Sequence, residues 1–279
     1  MPDRRRLVVI VTGASSGLGN ACATQLAKRG YAVYGTSRDP ASRERKADEF
    51  FELIRLESSD DDSVSTAVGY VLAKEGRLDA LVCCAGMGIA GPIEETPVVE
   101  AATQMDVNFM GVARVVRAAL PSLRESGGRL VVVGSLAGSI AVPYQAYYAA
   151  SKAALAAFVE ALRLELVGLG AQATLVEPGD FRTGFTESRH TFGLADGSPY
   201  ADNGRRAIAV MADSERHGAD PVLFARLVTA LFEKKRLAPR YRLGPRSQRA
   251  AMRLKDLLPR RIGEALLGAY FRIYAGKGA

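Results

Sequence analysis

The chain has 279 residues, 48% hydrophobic and 24% charged, a composition that supports a large packed core and excludes a disordered chain. Three cysteines (Cys22, Cys83 and Cys84) and two distant histidines (His190 and His217, read as surface residues) exclude a disulfide framework and offer no metal-ligand spacing, so no metal is expected and a reducing, cytoplasmic setting is. The net charge of +7 is local, since residues 236–279 carry eleven Lys/Arg against two acids; with no interleaved stacking aromatics or reading motif, nucleic acid is not an expected partner.

In chain order, MPDRRRLVVIVTGASSG joins a basic head to a short β-branched run closed by a glycine turn, which predicts a strand rather than a signal peptide. No segment has the length of a membrane-spanning helix. The runs AVYGTS (32–37), ELIRL (52–56), LDALVCCAG (78–86), RLVVVGS (129–135) and QATLVEPG (172–179) then alternate with longer amphipathic segments. That alternation predicts an α/β fold of parallel strands joined by helical crossovers, and strands apolar on both faces, such as 130–133, predict helices on both sides of the sheet. Residues 184–217 mix glycine, aromatic and charged residues without a clear period until a helix-like end, and read as a mobile substrate loop or lid. From Arg246 onward, Leu254, Leu257, Leu258, Ile262, Leu266 and Tyr270 recur at helical spacing, with Pro259 dividing them into two amphipathic helices. The expected organisation is one catalytic domain, 1–245, followed by a helical extension, 246–279.

Three local patterns carry chemistry. TGASSGLG (12–19) places Gly13, Gly17 and Gly19 between a strand and a helix, where the backbone can approach a pyrophosphate that is met by free N–H groups; otherwise it is an ordinary glycine turn. The second strand ends in Ser37 and Arg38, where an NAD site would usually carry a carboxylate, so an arginine facing a 2′-phosphate favours NADP(H); otherwise Arg38 is solvated in a polar loop. In YQAYYAASKAAL (144–155), Lys152 shares a helical face with Tyr148, four residues earlier, whereas Tyr147 points about a hundred degrees away and reads as packing. An ammonium beside Tyr148 favours its phenolate and suits it to proton exchange with an alcohol oxygen. Tyr144 could line a pocket, and Ser135 ends a buried strand where open α/β sheets bind ligands, unless it simply caps a turn.

Together these residues resemble the short-chain dehydrogenase/reductase family over residues 7–243: the glycine motif, VNFMG around Asn108, Ser135 thirteen positions before Tyr148, YAASK ending at Lys152, and EPGDFRT at 177–183. The resemblance implies a single Rossmann-like doubly wound parallel sheet and a catalytic tetrad. In it Tyr148 is the general acid/base and Ser135 orients the substrate oxygen; Lys152 holds the nicotinamide ribose and lowers the Tyr148 pKa, and Asn108 steadies a water relay to Lys152. Asn108 also reads independently as a helix kink or buried hydrogen-bonder. The implied cofactor-binding set is Gly13, Ser15, Ser16, Gly17, Leu18, Gly19, Ser37, Arg38, Ser58, Ala85, Gly86, Asn108, Tyr148 and Lys152, with Pro178, Gly179 and Thr183 bordering the nicotinamide carboxamide.

The chain departs from the family pattern in two places. Cys83 and Cys84 stand where a paired asparagine is usual, so sheet-stabilising amide bonds are expected to be lost, and Glu57 and Ser58 replace the commoner Asp and aliphatic residue. The thiols themselves read as small packing residues.

The long C-terminus is similar to that of the branch containing hydroxysteroid and retinol dehydrogenases. With NADP(H) favoured by Arg38, the expected activity is an NADP(H)-dependent interconversion of a carbonyl and an alcohol on a steroid-, retinoid- or terpenoid-like substrate, a lipophilic ligand that Phe185, Phe192 and Tyr200 of the loop would suit, with Tyr144 also lining its site. A 3-oxoacyl-thioester reductase and a non-catalytic NADP(H)-binding protein are the alternatives. A homodimer or homotetramer through the Ala-rich helix at 148–169 is implied, and the basic extension either covers the pocket, packs on a subunit or touches an anionic membrane surface.

Overall fold

The computed structural model describes residues 6–42, 50–255 and 257–274. The predicted basic head (1–5), most of the SRER loop (43–49) and the end of the extension (275–279) lie outside the described residues. The elements run β1 (Val8–Thr12), α1 (Gly17–Lys28), β2 (Ala32–Ser37), β3 (Glu52–Arg55), α2 (Asp61–Glu75), β4 (Ala80–Cys83), β5 (Ile89–Ala90), α3 (Val98–Met105), α4 (Gly111–Ser126), β6 (Arg129–Val133), α5 (Ala146–Glu165), β7 (Gln172–Pro178), β8 (His190–Thr191), α6 (Ala201–Arg216), α7 (Pro221–Glu233), β9 (Arg240–Leu243), α8 (Arg246–Lys255) and α9 (Arg260–Tyr270).

Seven strands form one parallel sheet in the order β3-β2-β1-β4-β6-β7-β9, the doubly wound topology expected from the alternation. The chain reverses its direction of winding between β1 and β4, whose registers pair Val9 with Ala80 and Thr12 with Cys83. A crevice is therefore left beyond the C-terminal ends of these two strands.

Two-residue alternation explains why the strands are apolar throughout. Val8 and Ile10 of β1, like Leu130 and Val132 of β6, point into a core layer with Val64, Val68, Val112, Val115, Leu155 and Val159 of α2, α4 and α5. Val9, Val11, Val131 and Val133 point into the opposite layer, with Cys22 and Leu26 of α1 and Phe224, Val228 and Leu231 of α7.

Two expectations are refined. The 184–217 segment is irregular only as far as residue 200; β8 pairs with β5 in a separate two-stranded ribbon, and α6 follows. The extension does form two helices divided at Pro259, and Met252 and Phe271 are buried against the domain.

Candidate active site

A cavity of about 2320 Å³ opens beyond the strand ends, lined in turn by residues that follow β1, β2, β3, β4, β6 and β7. At its first wall Gly13 has φ of +65°, and a Cβ there would lie 2.8 Å from the Ala85 Cα. A Cβ on Gly19 would lie 2.3 Å from the Gly13 carbonyl oxygen, so only glycine lets the turn fold onto the start of α1. Ser16, the residue before α1, makes no side-chain cap and the first turn holds no acid, which leaves the helix N–H groups and the positive end of its dipole for an anion. The cradle fits a pyrophosphate.

The remaining members of the expected cofactor set, Ser15, Leu18, Ser37, Arg38, Ser58, Ala85, Gly86, Pro178, Gly179 and Thr183, also line the cavity. Arg38 is exposed at its rim and makes no ion pair with a described residue. Ser58 is buried, and its carbonyl accepts from Arg114 Nη1 at 3.3 Å.

The loss of sheet-tying bonds expected at Cys83 and Cys84 is offset by Thr12, whose Oγ1 accepts from the backbone N–H of both Cys84 and Ala85 at 3.1 Å. Burial pushes the Cys83 thiol up to about 12 and the Cys22 and Cys84 thiols well above their ordinary value, so all three are held protonated, as packing residues.

The proton-handling groups meet at the end of β6. Ser135 follows this strand and caps the short turn Leu136–Gly138, its Oγ accepting from Ala137 N at 3.1 Å. Lys152, buried on α5, donates to the Val133 carbonyl of the same strand at 3.1 Å, and its Nζ lies 5.8 Å from the centre of the Tyr148 ring. One strand end thus anchors both neighbours of Tyr148.

The expected lowering of the Tyr148 pKa does not hold among the protein's own groups. Burial pushes the phenol up to about 12; the Ser135 hydrogen bond and the Arg189 charge oppose this and the Glu215 and Asp180 charges reinforce it, while Lys152, already neutral at the pH where the phenol ionises, does not lower it there. Lys152 is itself lowered to about 8 by burial.

Asn108 is fully buried in a wide helical turn, Asp106–Met110, that joins α3 to α4. It lies behind the cavity wall: Oδ1 accepts from Met87 N at 2.8 Å, while Nδ2 donates to Met87 O at 2.9 Å and to Ser151 Oγ at 3.1 Å. Both readings of this residue as a kink and a buried hydrogen-bonder hold. It ties the loop that leads from Gly86 into β5 to the helix that carries Tyr148 and Lys152.

Of the three expected substrate-lining residues, Phe185 reaches the cavity, its ring over Gly88 and 5.7 Å from the Tyr148 ring. Tyr144 and Phe192 do not line it. Tyr144, at φ of +62°, lays its ring over Gly204 beside Ala207, and Phe192 turns its backbone into the β5–β8 ribbon and its Cβ towards Gly91. Tyr200 instead bonds Glu94 through its hydroxyl.

The far arm of the cavity runs between α6 and the extension, along Met211, Met252, Leu254, Leu258, Leu266 and Leu267. Sequence reasoning missed the polar groups near its inner end. Arg189, buried, pairs with Glu215, whose other oxygen accepts from Thr186 Oγ1 at 2.5 Å. Asp180 follows β7 and accepts from Ser214 Oγ at 2.5 Å and from Gln248 Nε2 of α8. His190 and His217 are exposed at the rim. Among the described residues no group of side chains could hold a metal ion.

The family model described as short chain dehydrogenase matches residues 7–192. The chain is 34% identical over 268 residues to a 3-ketodihydrosphingosine reductase of Bacteroides thetaiotaomicron, covering 95% of this chain and 98% of that one. It is 36% identical over 195 residues to human 17-beta-hydroxysteroid dehydrogenase type 1, covering 65% of this chain but 59% of that one. A short-chain dehydrogenase from Streptomyces avermitilis superposes with a TM-score of 0.79 at 28% identity, over 98% of this chain and all of the other.

Proposed function

Because the chain belongs to the short-chain dehydrogenase/reductase family, we propose that it is an NADP(H)-dependent oxidoreductase that reduces a ketone on a lipophilic, long-chain substrate to the secondary alcohol. The observation that carries this reading is the convergence of Ser135, Tyr148 and Lys152 at the end of β6, in a cavity that continues on one side to the glycine cradle and on the other to an apolar arm.

Gly13, Gly17, Gly19 and the start of α1 would hold the pyrophosphate, Arg38 the 2′-phosphate, and Pro178, Gly179 and Thr183 the nicotinamide end. Held there, the dinucleotide would supply hydride chemistry to a carbonyl carbon. Tyr148, protonated through neutral pH, gives its proton to the carbonyl oxygen, which Ser135 Oγ orients, so that one hydride and one proton convert the ketone to the alcohol. The ammonium of Lys152 faces the phenolate that remains and stabilises it until the proton is restored.

The apolar arm supports a hydrocarbon substrate, and the full-length likeness to a reductase named for a long-chain keto-amine shifts the reading from rigid ring systems towards long chains. The exposed Leu254, Leu257, Ile262, Leu266 and Tyr270 beside Arg260, Arg261 and Arg272 support a peripheral contact with an anionic lipid surface at the mouth of this arm. No helix among the described residues is long and apolar enough to cross a membrane. Leu164 and Val167, exposed at the end of α5, support a homodimer or homotetramer.

The test is NADPH and NADH oxidation by the purified protein with long-chain 3-ketones, ketosteroids, retinal, diterpenoid ketones and 3-oxoacyl thioesters. Faster turnover of long-chain ketones with NADPH is expected. Cofactor binding without oxidation by any carbonyl would leave a non-catalytic nucleotide-binding protein, and preference for the thioesters would replace the substrate class.

A further inference from the structure

Asp180 is an uncompensated charge in the substrate arm. It follows Gly179 at the end of β7, is half-buried and lines the same cavity as Tyr148. Among the described residues its partners are the neutral Ser214 and Gln248, both of which reach Oδ2; no described donor reaches Oδ1, and no described cation pairs with it.

Of the neighbouring charges, Glu215 is paired with Arg189, Asp213 lies 3.4 Å from His217 Nδ1, and Arg206 donates to Asn203 and the Arg272 carbonyl. Beyond Asp180 the arm is lined by Met211, Met252, Leu254, Leu258, Leu266 and Leu267. Its field reaches the reacting centre, because its charge is one of those that raise the Tyr148 phenol.

A half-buried carboxylate with no cation partner beside the apolar side chains of the arm costs desolvation, and a charge-assisted hydrogen bond is the strongest contact it can make there. Neutral lipophilic ketones leave Oδ1 without a donor. An amphiphile with an amino group close to its carbonyl satisfies it, while the hydrocarbon chain fills the arm.

Resting on the reductase reading above, we propose that Asp180 is a specificity-determining residue that receives the protonated amine of a long-chain aminoketone. The clasp by Ser214 and Gln248 fixes the carboxylate on Oδ2 and leaves Oδ1 for the substrate, so the extension that supplies Gln248 helps to define the head-group site. The apolar side chains of the arm then select chain length, and the carboxylate selects the amine.

The test compares NADPH-dependent reduction of a long-chain 2-amino-3-ketone, its N-acetyl derivative and the matched ketone without nitrogen. Wild-type kcat/KM should favour the free amine by about tenfold to a hundredfold, the range of one charge-assisted hydrogen bond. Asp180→Asn keeps an acceptor for Ser214 and Gln248 while removing the charge, and should collapse that ratio towards one. The ratio also cancels any common change in Tyr148 acidity. Equal wild-type efficiency with all three ketones, or an undiminished ratio in the Asn variant, overturns the assignment of Asp180. Were that variant unable to fold, Asp180→Ser, which also removes the charge, should collapse the ratio in the same way, and an undiminished ratio there would overturn the assignment. Turnover of none of the three would defeat the reductase reading itself.

Discussion

Replacing Lys152 by methionine should stabilise the cofactor-free protein while abolishing its turnover. Lys152 is only 6% exposed, and burial lowers its pKa from 10.5 to about 8. A depressed amine pKa means that the unfolded chain binds the proton more tightly than the folded one. The cost is therefore present in full at neutral pH and below, and it is relieved as pH rises from about 8 to 10.5. At 1.36 kcal/mol per pKa unit the burden is about 3 kcal/mol. Methionine fills similar space without charge and gives up the charge-assisted bond to the Val133 carbonyl, worth about 2 kcal/mol, so a net gain of about 1 kcal/mol is expected at pH 7.

Urea denaturation of both proteins at several pH values measures this, because the difference between them removes the titration of groups that Lys152 does not touch. The gain should shrink steadily between pH 8 and 10. A methionine variant less stable than wild type at pH 7, or a difference that ignores pH, would refute the claim that a buried, thermodynamically costly ammonium is retained for function.

Tyr148→Phe should lower kcat by about 10²–10⁴-fold, the usual worth of a general acid, with the cofactor dissociation constant changed no more than a few-fold by fluorescence titration. Arg38→Glu should raise KM for NADPH at least tenfold and favour NADH; an unchanged NADPH/NADH ratio would remove Arg38 from the 2′-phosphate site. Glu177, 1% exposed, lies between Arg240 (3.3 Å) and Arg242 (3.2 Å) and accepts from Ser139 Oγ at 3.1 Å, so Glu177→Ala should cost about 3 kcal/mol in urea denaturation, and a loss below about 1 kcal/mol would show that solvent already screens the arginines.

What was legible in the sequence was whatever rests on short periods. Two-sided strand burial follows from uninterrupted β-branched runs, the glycine cradle from three glycines at a strand-to-helix junction, and the choice of Tyr148 over Tyr147 from one helical turn to Lys152. Long-range pairs escaped: Asp180 and Gln248 are 68 positions apart, Arg189 and Glu215 26 apart, and each partner sits in a segment whose polarity looks like ordinary solvated surface. Tyr144 and Phe192 misled for the same reason, since an aromatic in an aperiodic loop has no face until its neighbours exist. Gly204 and Gly91 provided the surfaces on which these residues come to rest.

The electrostatics of the site also could not come from spacing, because burial acts on Tyr148 and Lys152 in opposite directions. It raises the phenol to about 12 and lowers the amine to about 8, so both groups are pushed towards their neutral forms in the cofactor-free protein. At pH 7 that leaves a protonated phenol ready to donate and an ammonium still charged but close to its limit. Reduction should therefore tolerate falling pH better than rising pH: above about 8 Lys152 loses the charge that would stabilise the phenolate, and kcat/KM should fall while Tyr148 still holds its proton. A profile that stayed level to pH 10 would mean that some group other than Lys152 stabilises the departing proton's partner.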